Sequence, residues 1–160
     1  MPSRFRVVRP WLISGLTLSS DQLTKHLVAA SFSPGASLPL LPPLLHLTYV
    51  QNTGAAFGIF KGQQTLFIII SLVVIAWVVW ELLTKPSMTS ATVWGCALIL
   101  GGAVGNLIDR LRFGYVVDFI DLRIWPVFNV GDSAITIGVA LLFLHTLFPW
   151  RQETGDRRHG

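Results

Sequence analysis

The sequence predicts an all-α membrane protein: four transmembrane helices with a small strand-bearing region outside the bilayer. Three observations carry this reading. Hydrophobic residues make up 52% of the 160 residues and charged residues only 12%, where soluble domains carry about 25% charged residues. The apolar residues gather into four long runs. Five of the eight acidic residues, Asp21, Asp109, Asp118, Asp121 and Asp132, fall at or beyond one end of those runs. A soluble fold of this length has too little interior for so much apolar surface. The length fits a single membrane-embedded domain over residues 1–160.

The first run spans about residues 10–28. Its opening Arg4, Arg6 and Arg9 resemble the basic start of a signal peptide, and Val28-Ala29-Ala30 resembles a cleavage site. Asp21 and Lys25 interrupt the run where a cleavable segment is most apolar, which predicts a retained helix. The second run covers about 66–83, the third about 91–108 and the fourth about 134–150. A span needs about 20 residues at about 1.5 Å each. The last three runs are slightly short, and Trp80, Trp94, Phe148 and Trp150 extend them into the interface.

Four spans place both tails on one side. That side holds Arg4, Arg6, Arg9, Lys85, Arg151, Arg157 and Arg158; the other holds Lys25, Lys61, Arg110, Arg112 and Arg123. The bias assigns both termini and the Lys85-Pro86 turn to the cytoplasm, and the acid-bearing ends to the outer face.

Outside, Leu45, Leu47 and Tyr49 alternate with His46, Thr48 and Val50 as in a half-buried strand. Asn52-Thr53-Gly54 supplies a turn, and Ala55 to Phe60 can return as a second strand. The second outer loop, 112–131, is short and carries acids on an apolar background.

An ionisable residue near hydrocarbon marks a candidate functional site. Asp21 and Lys25 lie four apart on one helix face and can pair, which fits a structural ion pair. Gly101 and Gly105 form a GxxxG contact, a weak pattern that by itself means only close packing. Just past it, Asn106, Asp109 and Arg110 form a polar stripe at i, i+3 and i+4; alone, that stripe fits helix-end solvation. Asp118 sits among Val116, Val117, Phe119 and Ile120, and desolvation favours its neutral form. Asp132 precedes the fourth span, where a helix N-terminus favours its charged form; alone, it fits a helix cap. Two carboxyls in opposite environments at one face are what an aspartic hydrolase requires.

Other chemistries find less support. His26, His46, His145 and His159 are scattered and no HExxH occurs, which argues against zinc. Cys96 is the only cysteine and has no His at helical spacing, so neither a disulfide nor a thiol nucleophile is expected. No phosphate-binding loop, dinucleotide motif or serine elbow is present. A net charge of +4, spread through apolar runs, makes a poor phosphate-binding face, so nucleic acid is not an expected partner. The rival class is a small ion or proton carrier using the intramembrane acids. Carriers favour broken helices and repeats with acids at the midplane, whereas here the acids cluster at one face.

Five motifs in order resemble bacterial lipoprotein signal peptidase, also called signal peptidase II. They are Asp21-Gln22-Leu23-Thr24-Lys25, Asn52 to Gly58, Gly101 to Arg110, Val117-Asp118-Phe119 and Phe128 to Ser133, and the match covers about residues 10–148. The resemblance implies an inner-membrane aspartic endopeptidase with an extracytoplasmic β-cradle, here about residues 38–60. It implies cleavage of prolipoproteins just before a diacylglyceryl-modified cysteine, with membrane lipid around the substrate. It implies no metal, nucleotide or other cofactor, and inhibition by the cyclic peptide globomycin. By motif the catalytic pair falls on Asp118 and Asp132, and the substrate-binding polar pocket on Asn52, Asn106, Arg110 and Asn129. Asp21, Lys25 and Asp109 match positions with a structural role. Gly131 departs from the family's usual Ala, and the loop between the two acids is at the short end, which leaves a helix there in question.

Overall fold

The computed structural model describes residues 4–54, 62–85 and 88–148, with side chains from residue 8 onward. The order of elements is α1 (Arg4–Ser31), β1 (Ser37–Leu41), β2 (Leu45–Asn52), α2 (Gln64–Thr84), α3 (Ser90–Phe113), β3 (Val116–Asp121) and α4 (Val130–Leu147). The return strand expected over Ala55 to Phe60 lies outside the described residues, as do Lys61, Pro86, Trp150, Arg151, Arg157 and Arg158.

The helix α3 is the centre of the molecule and packs against α1, α2 and α4. Its small residues set how close the neighbours come. The backbone carbonyl of Gly131 lies where a Cβ on Gly102 would stand, and the Asp21 carboxylate lies where a Cβ on Gly105 would stand. Close backbone approach of this kind drives helix association where lipid removes the hydrophobic incentive. Val78 of α2 is fully buried against Cys96, Ile99 and Leu100 of α3. The rest of α2 turns Ile69, Ile70, Leu72, Val73, Trp77 and Trp80 outward. Only hydrocarbon solvates such a face without cost.

Among the described residues three helices, α2, α3 and α4, are long and apolar enough to cross a membrane. The 28 residues of α1 give it the length, with Asp21 and Lys25 breaking its apolar character. The helix α3 runs past the expected end near Ile108 to Phe113, so Asn106, Asp109 and Arg110 all lie on a regular helix. Gly114, at φ 81°, then turns the chain into β3 while its N–H caps the Arg110 carbonyl.

The three strands form one antiparallel sheet in the order β1-β2-β3. Its third strand, Val116–Asp121, is a segment whose sequence shows an acid between apolar pairs rather than alternation. A strand covered on both faces carries no period-2 signal. Val117 and Phe119 pack with Val28 of α1 and Tyr49 of β2. After β3 the chain folds back on itself: Phe128 exchanges backbone hydrogen bonds with Ile120, at 2.7 and 3.1 Å. That bridge brings residue 129 beside residue 118. No helix occurs in the 112–131 loop ahead of α4 other than the last turn of α3.

Candidate active site

Asp118 and Asp132 arrive at one place from different elements. Asp118 is the third residue of β3, and its side chain lies on the sheet face shared with Asn52 of β2, whose Nδ2 donates to Asp118 Oδ2 at 2.8 Å. Asp132 lies in the first turn of α4. The sequence suggests Asp132 as the helix cap, but the cap is Asn129, with Asp132 three residues on. The two form a reciprocal capping box. Asn129 Oδ1 accepts from the Asp132 N–H at 2.8 Å, and the Asn129 N–H donates to Asp132 Oδ2 at 3.3 Å.

The second N–H of the turn, on Gly131, donates to Asp21 Oδ1 at 2.7 Å. A carboxylate from α1 therefore completes the N-terminus of α4. Asp21 is fully buried, and Lys25 and Asp109 beside it are buried too. Lys25 Nζ lies 2.8 Å from Asp21 Oδ2, the pairing that the i, i+4 spacing predicts, and 2.9 Å from Asp109 Oδ2. Asp109 Oδ2 also accepts from the Val117 N–H at 3.2 Å, tying α3 to β3.

Two amides connect this charged cluster to the acids. Asn106 Oδ1 accepts from Lys25 Nζ at 2.8 Å, and its Nδ2 donates to Asp132 Oδ1 at 2.8 Å. Asn129 Nδ2 donates to Asp118 Oδ1 at 2.7 Å and to Asn106 Oδ1 at 3.2 Å. Each side-chain polar atom of these two amides has a partner, as a buried network requires.

Asp118 is shut away from solvent, with 1% of its surface exposed. Burial and then the nearby Asp132 charge push its carboxyl up to about 7, against the opposing hydrogen bonds from Asn52 and Asn129. It is thus poised to hold or release a proton near neutrality.

Both acids open onto a cavity of about 650 Å³. Its walls are largely apolar: Phe67, Val116, Leu122, Trp125, Val127, Phe128, Ile135 and Ile137. Among its polar lining residues are Asn52, Arg110, Asp118, Asp132, Ser133 and Thr136. The Arg110 guanidinium stacks over Phe67 at 5.2 Å, which aims it along the wall. Such a groove suits a mainly hydrophobic chain with a few backbone groups to satisfy. Asn106 and Asn129 do not line it: Asn129 is fully buried and Asn106 is 5% exposed. Of the four pocket residues named by motif, Asn52 and Arg110 face the cavity, while Asn106 and Asn129 stand behind the acids. Among the described residues no three His, Cys, Asp or Glu side chains gather as metal ligands.

A family model described as signal peptidase (SPase) II matches residues 13–148, most of the chain and all of this constellation.

The chain belongs to the signal peptidase II family.

The lipoprotein signal peptidase of Halothermothrix orenii is 47% identical over 150 residues, covering 91% of this chain and 99% of that protein. The lipoprotein signal peptidase of Trichormus variabilis is 42% identical over 158 residues, 98% of each chain. Among solved structures, a bacterial membrane enzyme determined by the in meso method at 1.9 Å is 34% identical with a TM-score of 0.83, covering 94% of this chain and 99% of that one. A second such enzyme, determined at 2.3 Å, is 33% identical at the same TM-score of 0.83 over 95% of this chain and 93% of that one.

In this signal peptidase II chain, sequence reasoning overlooks two contributors. Gln22 Nε2 donates to Asp109 Oδ1 at 3.0 Å and to the Gly105 carbonyl at 3.2 Å, stitching α1 to α3. A polar residue beside Asp21 in an apolar run was the available signal. Phe67 supports Arg110, and nothing distinguishes it from the other large apolar residues of the run that begins at Leu66.

Proposed function

We propose that this membrane peptidase is an aspartic endopeptidase that removes signal peptides from prolipoproteins, cleaving before a diacylglyceryl-modified cysteine. One observation carries the aspartic reading: two carboxyls from different elements, Asp118 buried and Asp132 half-buried, open on one mostly apolar cavity, and burial with the nearby Asp132 charge pushes the Asp118 carboxyl up to about 7. At neutral pH such a pair shares a proton. The ionised member takes a proton from a water held between them, and the protonated member donates to the scissile carbonyl. The tetrahedral intermediate then collapses as the amine leaves with a proton returned by the pair. The two acids titrate as a unit, so each macroscopic step belongs to the dyad. Asn52 and Arg110, on the cavity wall, meet the backbone of an extended signal peptide. The apolar wall takes its side chains and the lipid.

The same reading places four spans in the bacterial inner membrane, with α1 as the fourth alongside α2, α3 and α4. Both termini are cytoplasmic and the sheet is an extracytoplasmic cradle at the outer face, as the basic-residue bias supports. The membrane is thus both the support of the enzyme and the source of its lipidated substrate. Globomycin, a cyclic peptide, is the expected occupant of the cavity in place of substrate. No observation favours an ion carrier, because the acids meet at one cavity rather than along a path.

The test uses purified full-length protein in detergent with a diacylglyceryl-modified prolipoprotein. The expected result is a shortened product beginning at the modified cysteine, and no product with Asp118→Asn. Cleavage by folded Asp118→Asn at the wild-type rate would overturn the aspartic mechanism.

A further inference from the structure

Lys25 lies behind the site, does not line the cavity and is 3% exposed. An ammonium has three N–H donors and no lone pair, so every group around it must present an acceptor. Here the three acceptors are Asp21 Oδ2, Asp109 Oδ2 and Asn106 Oδ1, all within 2.9 Å. The two carboxylates can present nothing else. The amide can: it has an oxygen end and a nitrogen end, and only its surroundings decide which points where.

We infer that Lys25 is a positioning residue that sets the polarity of the two amides holding the aspartate pair. By taking the oxygen of Asn106, it turns the Asn106 nitrogen outward to donate to Asp132 Oδ1. A flipped Asn106 would set N–H against ammonium at one end and C=O against carboxylate at the other. The order passes one step further. Asn106 Oδ1 also accepts from Asn129 Nδ2, so the Asn129 nitrogen faces inward, donating to Asp118 as well, and its oxygen is left for the Asp132 N–H. One ammonium thereby delivers an N–H donor to each catalytic carboxyl over two amides. An isolated salt bridge between Lys25 and Asp21 would need none of this. The Asp21–Lys25–Asp109 cluster carries one excess negative charge, and Asp21 is used in addition by Gly131 N–H at the start of α4.

This inference rests on the aspartic reading above. The charged groups facing the pair are Asp21 and Lys25 from α1, Asp109 and Arg110 from α3, and the two acids themselves on β3 and α4. The test is the double variant Asp21→Asn/Lys25→Gln, which keeps the net charge. A glutamine can donate or accept, so it no longer dictates the orientation of Asn106. Turnover of the lipidated prolipoprotein is followed against pH in detergent, per mole of folded enzyme. Expected are a fall in kcat of about 10- to 100-fold, as misplaced catalytic groups produce, with KM little changed. The acidic limb of the kcat profile moves to higher pH, because a carboxylate that loses an N–H donor holds its proton more tightly.

A purely structural Lys25 would lower the yield of folded protein and leave both limbs in place. Wild-type kcat with unmoved limbs therefore overturns the proposal. If the double variant does not fold, Asn106→Asp decides. It keeps an acceptor for Lys25 and replaces the N–H facing Asp132 by an oxygen, so the acidic limb moves up; an unmoved limb overturns the proposal. Asp118→Asn and Asp132→Asn run in the same assay. If they cleave, the aspartic reading fails and this inference with it; if they are inactive while the Lys25 variant is normal, only this inference fails.

Discussion

The Asn129 side chain, which caps α4, donates from Nδ2 to Asp118 Oδ1 on β3 at 2.7 Å. The same amide therefore starts a helix and holds an acid of the candidate site. Helix capping and site geometry cannot be changed independently at this position. Asn129→Ala should lose about 1 kcal/mol as a missing cap and a further penalty of about 1–3 kcal/mol for the buried carboxyl left short of a donor. It should lower kcat by about 100-fold or more, since both acids lose a fixed partner. Thermal unfolding and turnover measured on the same purified sample check both effects.

If the two acids act as one unit, their losses do not add. Asp118→Asn and Asp132→Asn each remove the exchangeable proton while keeping size and hydrogen bonding. Each should abolish cleavage, and the double variant should be little worse than either single one. Rates that multiply would show two independent contributions instead.

The raised Asp118 carboxyl makes two pH effects. Activity that needs its proton should decline as pH rises through about 7. Stability should follow the same sign. An unfolded Asp titrates near 3.9, so between about 4 and 7 the folded chain holds a proton that the unfolded chain has released. Stability therefore falls with rising pH across that window, by at most about 1.4 kcal/mol per pH unit. Unfolding midpoints of wild type and Asp118→Asn, compared from pH 4 to 8, should diverge in slope, with the variant flatter.

Two glycines in helices should respond in opposite ways. A Cβ at Gly102 meets the Gly131 carbonyl and Ile135, so Gly102→Ala should destabilise by about 1–3 kcal/mol. Because Gly131 precedes Asp132, turnover should fall with it. Gly15 on α1 has open space around it, so Gly15→Ala should be neutral or stabilise by about 0.5–1 kcal/mol. Equal unfolding midpoints for the two variants would contradict the close α3–α4 contact.

Topology is open to a direct check. A reporter fused after Gly160 should be active only as a cytoplasmic reporter, and one inserted between β1 and β2 only as a periplasmic one. A periplasmic signal from the first fusion would rule out four spans.

The sequence alone determined a membrane protein, because 52% hydrophobic residues with 12% charged cannot be hidden in water. It also determined which polar residues are out of place, since an Asp in an apolar run is visible without coordinates. The Asp21–Lys25 pair is a consequence of helix periodicity and was legible for the same reason. Only the tertiary structure decided what those residues touch. Asp118 and Asp132 are brought together by the Ile120–Phe128 bridge, a backbone contact with no side-chain signature. The strand β3 carries no alternation because it is covered on both sides, so the sheet partner of β2 was not readable. Asn52 and Asn129 are both amides near a turn in the sequence. In the fold one faces the cavity and the other is sealed behind it. An amide can serve either place, and residue type alone carries no record of direction. The β2–β3 register sets the direction of Asn52, and the packing of the α4 start against α1 and α3 sets that of Asn129.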